Sequence, residues 1–124
     1  MADFVIEKNL VDQCRKKLLS SKDEILNRVK DNRSQLNNEE RGGDEADQTV
    51  RTLAEGEALR MNERLRTQLV EIEMALGRIE NGTYGVCEET EEAIEPDRLL
   101  AIPWTRLSIE GAEIRESMKK RFAR

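Results

Sequence analysis

The feature that most constrains this chain is a stretch from residue 7 to residue 38 that contains neither glycine nor proline. Its apolar side chains recur three, four or seven positions apart, which is the spacing of one face of an α-helix. They are Val11, Cys14, Leu18, Ile25, Val29 and Leu36. The periodicity predicts a single long helix with one apolar stripe.

Two adjacent glycines, Gly42 and Gly43, interrupt the pattern before a second stripe begins near residue 46. Glycine supplies the backbone freedom that a helix reversal needs. The second stripe continues to Asn81 and Gly82, a pair typical of a helix end. Its members are Val50, Leu53, Ala58, Met61, Leu65, Leu69, Ile72, Leu76 and Ile79. We therefore predict an antiparallel coiled-coil hairpin.

The predicted hairpin occupies residues 1–81 and has an acidic tip at about residues 39–49. A helix rises about 1.5 Å per residue, so each arm would reach about 45–50 Å. Asp44 or Asp47 can cap the second helix through its side-chain oxygen. The predicted structure is thus a rod with carboxylates at its end.

The composition supports this shape and narrows the possible functions. Only 37% of the residues are hydrophobic and 38% are charged, as expected for helices that bury a narrow stripe. The net charge of −5 disfavours DNA binding, because phosphates repel an acidic surface. The absence of histidine removes the commonest general base and metal ligand, so we expect no enzyme activity and no cofactor.

No apolar run approaches the length that a bilayer requires, and the chain has no charged and apolar leader at its start. Its two cysteines, Cys14 and Cys87, without a secretion signal indicate a reducing compartment. We expect a cytoplasmic protein that does not associate with membranes.

Residues 82–124 are predicted to form a small α/β module that ends in a helix. Short strands are expected at residues 83–86 and 105–108, and a short helix is expected to start at Pro96. The terminal helix, residues 109–122, is expected to turn Ile114 and Met118 inward. Packing is expected from Val86, Ile94, Leu99, Leu100, Trp104, Leu107 and Ile109. The predicted fold class is therefore mainly α.

The run from Arg78 to Cys87, with the sequence Arg-Ile-Glu-Asn-Gly-Thr-Tyr-Gly-Val-Cys, resembles the DksA/TraR family around its first zinc cysteine. Further similar positions follow it, namely Ile94, Pro96, Arg98, Leu99, Ile102 and Pro103. The resemblance covers essentially the whole chain. It implies a bacterial regulator of transcription that binds RNA polymerase and inserts its coiled-coil tip into the secondary channel.

The family's zinc site consists of two pairs of cysteines. The matching positions here are Cys87, Thr90, Ser108 and Gly111. A structural zinc ion requires four sulfur or nitrogen ligands in a tetrahedron, which this set does not supply. We expect a degenerate zinc finger without metal, in which Cys87 is a small buried residue; a redox-sensing thiol is the alternative.

At the tip, the family has two aspartates followed by an alanine, and the matching residues are Asp44, Asp47 and Thr49. The resemblance implies that both aspartates approach the polymerase active centre, and that Arg64 contacts polymerase. Acidic residues at a helix start also complement the helix dipole, which alone would account for them. A solvated helix charge would likewise account for Arg64.

The family also binds the alarmone ppGpp with basic side chains. The matching positions here are Glu71, Ile102 and Ala112, and none of them carries a positive charge. We expect a weak or absent response to ppGpp.

Three other functions compete with polymerase regulation. A coiled-coil scaffold that has lost polymerase binding would have no reason to keep Asp44 and Asp47 at the apex. A transcript-cleavage factor of the Gre type shares the hairpin, but its C-terminal module differs. A DNA-binding knuckle is suggested only by the basic end of the last helix, and we expect no direct DNA binding.

Overall fold

A computed structural model describes residues 7–38 and 45–122 of the chain, with the side chains of residues 7–33 and 47–122. Two long helices, α1 (Lys8–Asn38) and α2 (Glu45–Asn81), precede two short ones, α3 (Pro96–Ala101) and α4 (Ile109–Phe122). No helix in the described ranges is long and apolar enough to cross a membrane. The mainly α fold that the periodicity predicts is confirmed.

The chain divides into two compact units. The central unit is Ser21–Val70 and contains the adjoining parts of α1 and α2. The terminal unit combines the described residues up to Ser20 with those from Glu71 onward. A boundary between residues 81 and 82 stays a prediction, whereas the compact units divide within both long helices.

In the central unit, α1 and α2 pack along a narrow antiparallel seam. Ile25 of α1 and Leu65 of α2 are both 4% exposed. Nearer the chain reversal, Asn32 and Asn62 face each other. The side chain of Leu36 lies outside the described residues.

The predicted stripe is wrong at the start of α2. Val50 and Leu53 are 66% and 65% exposed. On a helix of about 3.6 residues per turn, they lie on a different face from the seam residue Asn62. The spacing predicted the helix correctly but assigned these two residues to the wrong face.

The terminal unit contains every described side chain that is fully buried. These are Cys14, Leu18, Ile72, Ala75, Leu99 and Cys87. Tyr84 and Ile94 are also buried. The predicted packing residues Ile94 and Leu99 are therefore in the core, whereas Ile109 is 49% exposed.

Two further expectations for residues 82–124 are wrong. Among the described residues, the predicted strands are replaced by turns and a single antiparallel bridge between Val86 and Ala93. Ile114 and Met118, expected to point inward from α4, are 36% and 47% exposed. Backbone contacts between turns, such as Glu88 N donating to Arg106 O at 3.0 Å, take the place of a strand pairing.

Candidate functional site

The four positions that match the family's zinc ligands lie together in the terminal unit. The Cys87 side chain is 1% exposed, and Thr90 N donates to its Sγ at 3.5 Å. Gly111 N donates to Ser108 Oγ at 3.0 Å. A Cβ atom placed on Gly111 would overlap Cys87 Sγ and lie 3.3 Å from Ser108 Oγ. The residues form a closely packed cluster, here called the knuckle cluster.

Local backbone structure brings each half of the knuckle cluster into place. Cys87 N donates to Glu92 O at 2.8 Å, and Glu91 N returns a bond to Cys87 O at 2.9 Å. Glu91 completes this turn with a φ of 60°. Ser108 lies directly before α4, where its carbonyl accepts from Ala112 N at 2.8 Å. The second half of the cluster is thus the start of a helix.

Hydrogen bonding changes the acidity of the buried thiol. Burial of Cys87 disfavours the thiolate and raises the pKa, but hydrogen bonds from Ser108 and Thr90 outweigh burial and lower the pKa to about 6. A thiolate accepts these bonds more strongly than a neutral thiol does. The knuckle cluster therefore favours a negatively charged sulfur.

The ligand chemistry of the knuckle cluster does not fit zinc. Cys87 supplies one sulfur, Thr90 and Ser108 supply hydroxyls, and Gly111 has no side chain. Within the described residues, no group of three or more His, Cys, Asp or Glu side chains could hold a metal ion. Hydrogen bonds and close packing connect the two halves at the positions where the family pattern has metal ligands.

A chain of ion pairs lies beside the knuckle cluster. Arg106 Nη2 is 2.7 Å from Glu71 Oε1, and Arg106 Nη1 is 3.9 Å from Glu88 Oε2. Arg115 Nη2 is 3.5 Å from Glu88 Oε2, and Arg115 Nε is 3.0 Å from Glu89 Oε2. Two guanidinium groups thereby form ion pairs with three carboxylates, one on α2 and two on the turn after Cys87.

The positions that match the family's alarmone ligands have local roles in this fold. Glu71 pairs with Arg106. Ile102 is half-buried and its N–H caps α3 by donating to Arg98 O at 2.7 Å. Ala112 is half-buried and lines an open groove of about 800 Å³ with Met118 and Phe122.

Other nearby arginines are also engaged within the chain. Arg98 Nε donates to Leu107 O at 2.8 Å, and Arg115 binds Glu89 and Glu88. These guanidinium groups support the fold of the terminal unit in addition to adding positive charge.

The tip residues are only partly described. Asp44 lies outside the described residues, while Asp47 and Thr49 are exposed in the first turns of α2. Arg64, further along α2, is exposed and lines a shallow groove with Arg60, Glu63 and Thr67. The central unit therefore presents charged side chains on helical backbone and no enclosed cavity at these positions.

Sequence reasoning missed three side-chain hydrogen bonds of the terminal unit, and two of them, those of Arg78 and Cys14, connect a long helix to the module. Arg78 Nη2 donates to Trp104 O at 3.3 Å, and burial lowers the pKa of Arg78. Tyr84 Oη donates to Pro103 O at 2.8 Å. Cys14 Sγ donates to Leu99 O at 3.6 Å. Arg78 and Tyr84 fall within the run that resembles the family, which was the available signal.

Comparison with known proteins places these observations in a family. Residues 82–117 match the model of the prokaryotic dksA/traR C4-type zinc finger. The "RNA polymerase-binding transcription factor DksA" of Caulobacter vibrioides (strain NA1000 / CB15N) is 37% identical over 107 residues, which are 86% of this chain and 75% of that protein. The chain belongs to the DksA/TraR family. It has one of the four cysteines of the C4 pattern, at Cys87.

Two further relatives extend the similarity. An uncharacterized protein of Aquifex aeolicus is 38% identical over 115 residues, which are 87% of this chain and 77% of that protein. The solved structure of transcription factor DksA2 from Pseudomonas aeruginosa is similar with a TM-score of 0.84 and 35% identity, covering 92% of this chain and 88% of that chain. The predicted coiled-coil hairpin with a knuckle-like C-terminal module is thus confirmed as a DksA/TraR fold.

Proposed function

We propose that this protein is a regulator of transcription that binds RNA polymerase directly and inserts its coiled-coil tip into the secondary channel to modulate initiation. The observation that carries the proposal is the 37% identity, over 86% of this chain, to a protein named as an RNA polymerase-binding transcription factor. Because that identity extends through most of the hairpin and the module, the shared role is proposed for the chain as a whole.

The dimensions of the long helices support channel insertion. Helices of 31 and 37 residues, at about 1.5 Å per residue, are about 46 and 55 Å long. Asp47 is exposed near the start of α2. A narrow helical pair suits entry into a channel, and carboxylates at its end suit a basic cleft that contains magnesium. Asp44 and Asp47 are the proposed effector residues, and Thr49 replaces the family's alanine beside them.

Polymerase binding itself is assigned to the paired helices of the central unit, here called the shaft, and to the terminal unit. Arg64 is exposed on α2 and is the proposed contact of the shaft. The terminal unit adds the exposed apolar side chains Ile114, Met118 and Phe122 of α4. Interface affinity depends on a few well-packed anchors more than on total area, so Arg64 is the first residue to test.

We also propose that the regulatory effect depends little on ppGpp. A polyphosphate requires charge-assisted hydrogen bonds from several cations. The three matching positions are Glu71, Ile102 and Ala112, and Glu71 already binds Arg106. A carboxylate at the first position also repels a polyanion, which makes the loss larger than removal of a cation alone.

The alarmone proposal is tested by in vitro transcription with polymerase that lacks its own factor-independent alarmone site. We expect ppGpp to leave the half-maximal concentration of this protein unchanged. Glu71→Lys with Ile102→Arg and Ala112→Lys should restore part of a response. A shift of several-fold with the wild-type chain would contradict the proposal.

Binding is tested by a pull-down with core RNA polymerase, followed by competition with a Gre-type factor that enters the same channel. We expect wild-type protein to bind and to be displaced by the competitor. Arg64→Ala should weaken binding, whereas Arg66→Ala, an exposed arginine of α2 outside this groove, serves as the control. Binding that the competitor cannot displace would contradict insertion, and no binding at all would favour a scaffold.

A further inference from the structure

A pair of asparagines interrupts the apolar seam of the central unit. Asn32 Nδ2 of α1 donates to Asn62 Oδ1 of α2 at 2.9 Å. Asn62 is 6% exposed, and Asn32 is half-buried. Burial of an amide is costly unless it is hydrogen-bonded, so this pair is stable only where the two side chains meet.

The pair lies where the apolar part of the seam ends. Away from the chain reversal, Ile25 and Leu65 are buried. Toward the reversal, no described side chain of α2 between residues 47 and 61 is buried. The α2 residues that continue the seam there include Ala58 and Arg51, which offer little apolar area.

Larger apolar side chains are available on another face of the same segment. Val50 and Leu53 are 66% and 65% exposed. At about 100° per residue they project about 120° and 180° away from Asn62, so a large rotation of α2 about its axis would bring one or the other toward α1. Burial of each such side chain favours the rotated packing by the hydrophobic effect. Rotation would also separate Asn62 from Asn32 and leave both amides without their partner.

We propose that the Asn32–Asn62 hydrogen bond sets the rotation and register of α2 and thereby positions Asp47. Asp47 lies 15 residues, or about four helical turns, before Asn62, so the rotation of α2 that is set at Asn62 also sets the direction in which Asp47 projects. A single polar pair within an apolar seam fixes register in coiled coils at a cost in stability. Asn32 and Asn62 are thus positioning residues. This inference rests on the proposed role of the tip aspartates.

The test separates position from stability with two variants. Asn32→Leu/Asn62→Leu replaces the pair with an apolar contact, so its unfolding midpoint should equal or exceed that of the wild type. We expect its NMR spectrum to contain a second set of amide resonances for residues 47–61, because the two packings become similar in free energy. Its effect on transcription should fall by about half or more, since only one packing presents Asp47 correctly.

Asn62→Asp is the conservative counterpart, because its carboxylate keeps an acceptor for Asn32 Nδ2. It buries a charge and should lower the unfolding midpoint. It should nevertheless give one set of resonances and a transcriptional effect close to that of the wild type. Asn27→Leu, an exposed asparagine on α1, is the control for the change of residue type.

The results overturn the inference if the double leucine variant has a single set of resonances and the full transcriptional effect. They also overturn it if, across these variants, the transcriptional effect falls with the unfolding midpoint and does not depend on whether a second set of resonances is present. Failure of wild-type protein to bind or affect polymerase would contradict the proposed function instead, and the NMR comparison would still decide whether the pair sets the packing.

Discussion

The terminal and central units each contain part of the two long helices, but only the terminal unit also contains α3 and α4, and the two units differ in how much they bury. In the terminal unit, six described side chains are fully buried, among them Leu18 and Ile72. In the central unit, the buried side chains are Ile25, Leu65 and Asn62, and large apolar residues such as Leu53 are exposed. Packing in the terminal unit therefore determines stability, while the central unit leaves its charged surface available for binding.

The largest effect on stability is expected when a zinc site is built into the terminal unit by substitution. Wild-type protein should contain far less than one zinc per chain and keep its unfolding midpoint in a chelator, because hydrogen bonds and packing hold the knuckle cluster. Thr90→Cys, Ser108→Cys and Gly111→Cys together rebuild a four-thiolate site. Structural zinc sites contribute about 10–16 kcal/mol of binding free energy in small peptides. The unfolding midpoint of this variant should therefore depend strongly on bound zinc.

Elemental analysis gives the zinc content of the wild type and of the triple cysteine variant, and thermal unfolding with and without chelator gives their midpoints. About one zinc per wild-type chain, together with unfolding on its removal, would contradict the metal-free cluster. Cys87→Ala in the rebuilt variant is the control, since it removes one of the four ligands.

The next largest effect is expected from truncation of the core. Leu18→Ala should lower the free energy of unfolding by roughly 2–5 kcal/mol, because Leu18 is completely buried. Leu19→Ala, at 46% exposure on the same helix, is the matched control and should cost much less. In the central unit, Leu53→Ala should change the free energy by about 0.5 kcal/mol or less. Urea denaturation gives all three free energies of unfolding. Equal losses for Leu18→Ala and Leu53→Ala would contradict the difference in packing between the two units.

A smaller loss is expected when Gly111 gains a methyl group. The Cβ of Gly111→Ala would overlap Cys87 Sγ, and forced overpacking typically costs about 1–3 kcal/mol. Gly77→Ala is the control, because a Cβ there meets no atom within 4 Å. That substitution should stabilise helix α2 by about 0.5–1 kcal/mol. A neutral Gly111→Ala would mean that the two halves of the knuckle cluster do not need close contact.

The smallest effect concerns pH. The pKa of Cys87 is lowered to about 6 from an ordinary value of 9.0, so the folded state favours the thiolate. The stabilisation is fully present above pH 9 and is lost as the pH falls through about 6. The difference in unfolding free energy between wild type and Cys87→Ala should therefore grow as the pH rises from about 6 to about 9. Thiolate absorbance should titrate near pH 6; titration near pH 9 would contradict the hydrogen-bonded thiolate.

Periodicity was sufficient to predict the long helices, and the family resemblance located the knuckle cluster. Neither could predict which apolar side chains of each helix are buried. The buried set Cys14, Leu18 and Ile25 was predicted because a helical stripe that packs against a partner keeps its spacing. Val50 and Leu53 follow a similar spacing and are exposed, since the seam passes through small and polar residues at that point.

The turns of residues 82–108 could not be derived from pattern alone. They are held by single long-range bonds, such as that of Arg98 to Leu107 O, which leave no periodic signal. The ion pair of Glu71 with Arg106 also depends on folding of the whole terminal unit. The roles of Asp44, Asp47, Thr49 and Arg64 stay predictions.

The most direct test of the division between stability and function is the variant Asp44→Asn/Asp47→Asn, assayed for both polymerase binding and in vitro transcription. We expect the variant to fold with an unchanged midpoint and to bind core RNA polymerase as the wild type does, because the proposed polymerase contacts lie outside the tip. We expect its effect on transcription to be lost, because the two carboxylates are proposed to act at the active centre. Equal loss of binding and activity would contradict the account and make the tip an anchor.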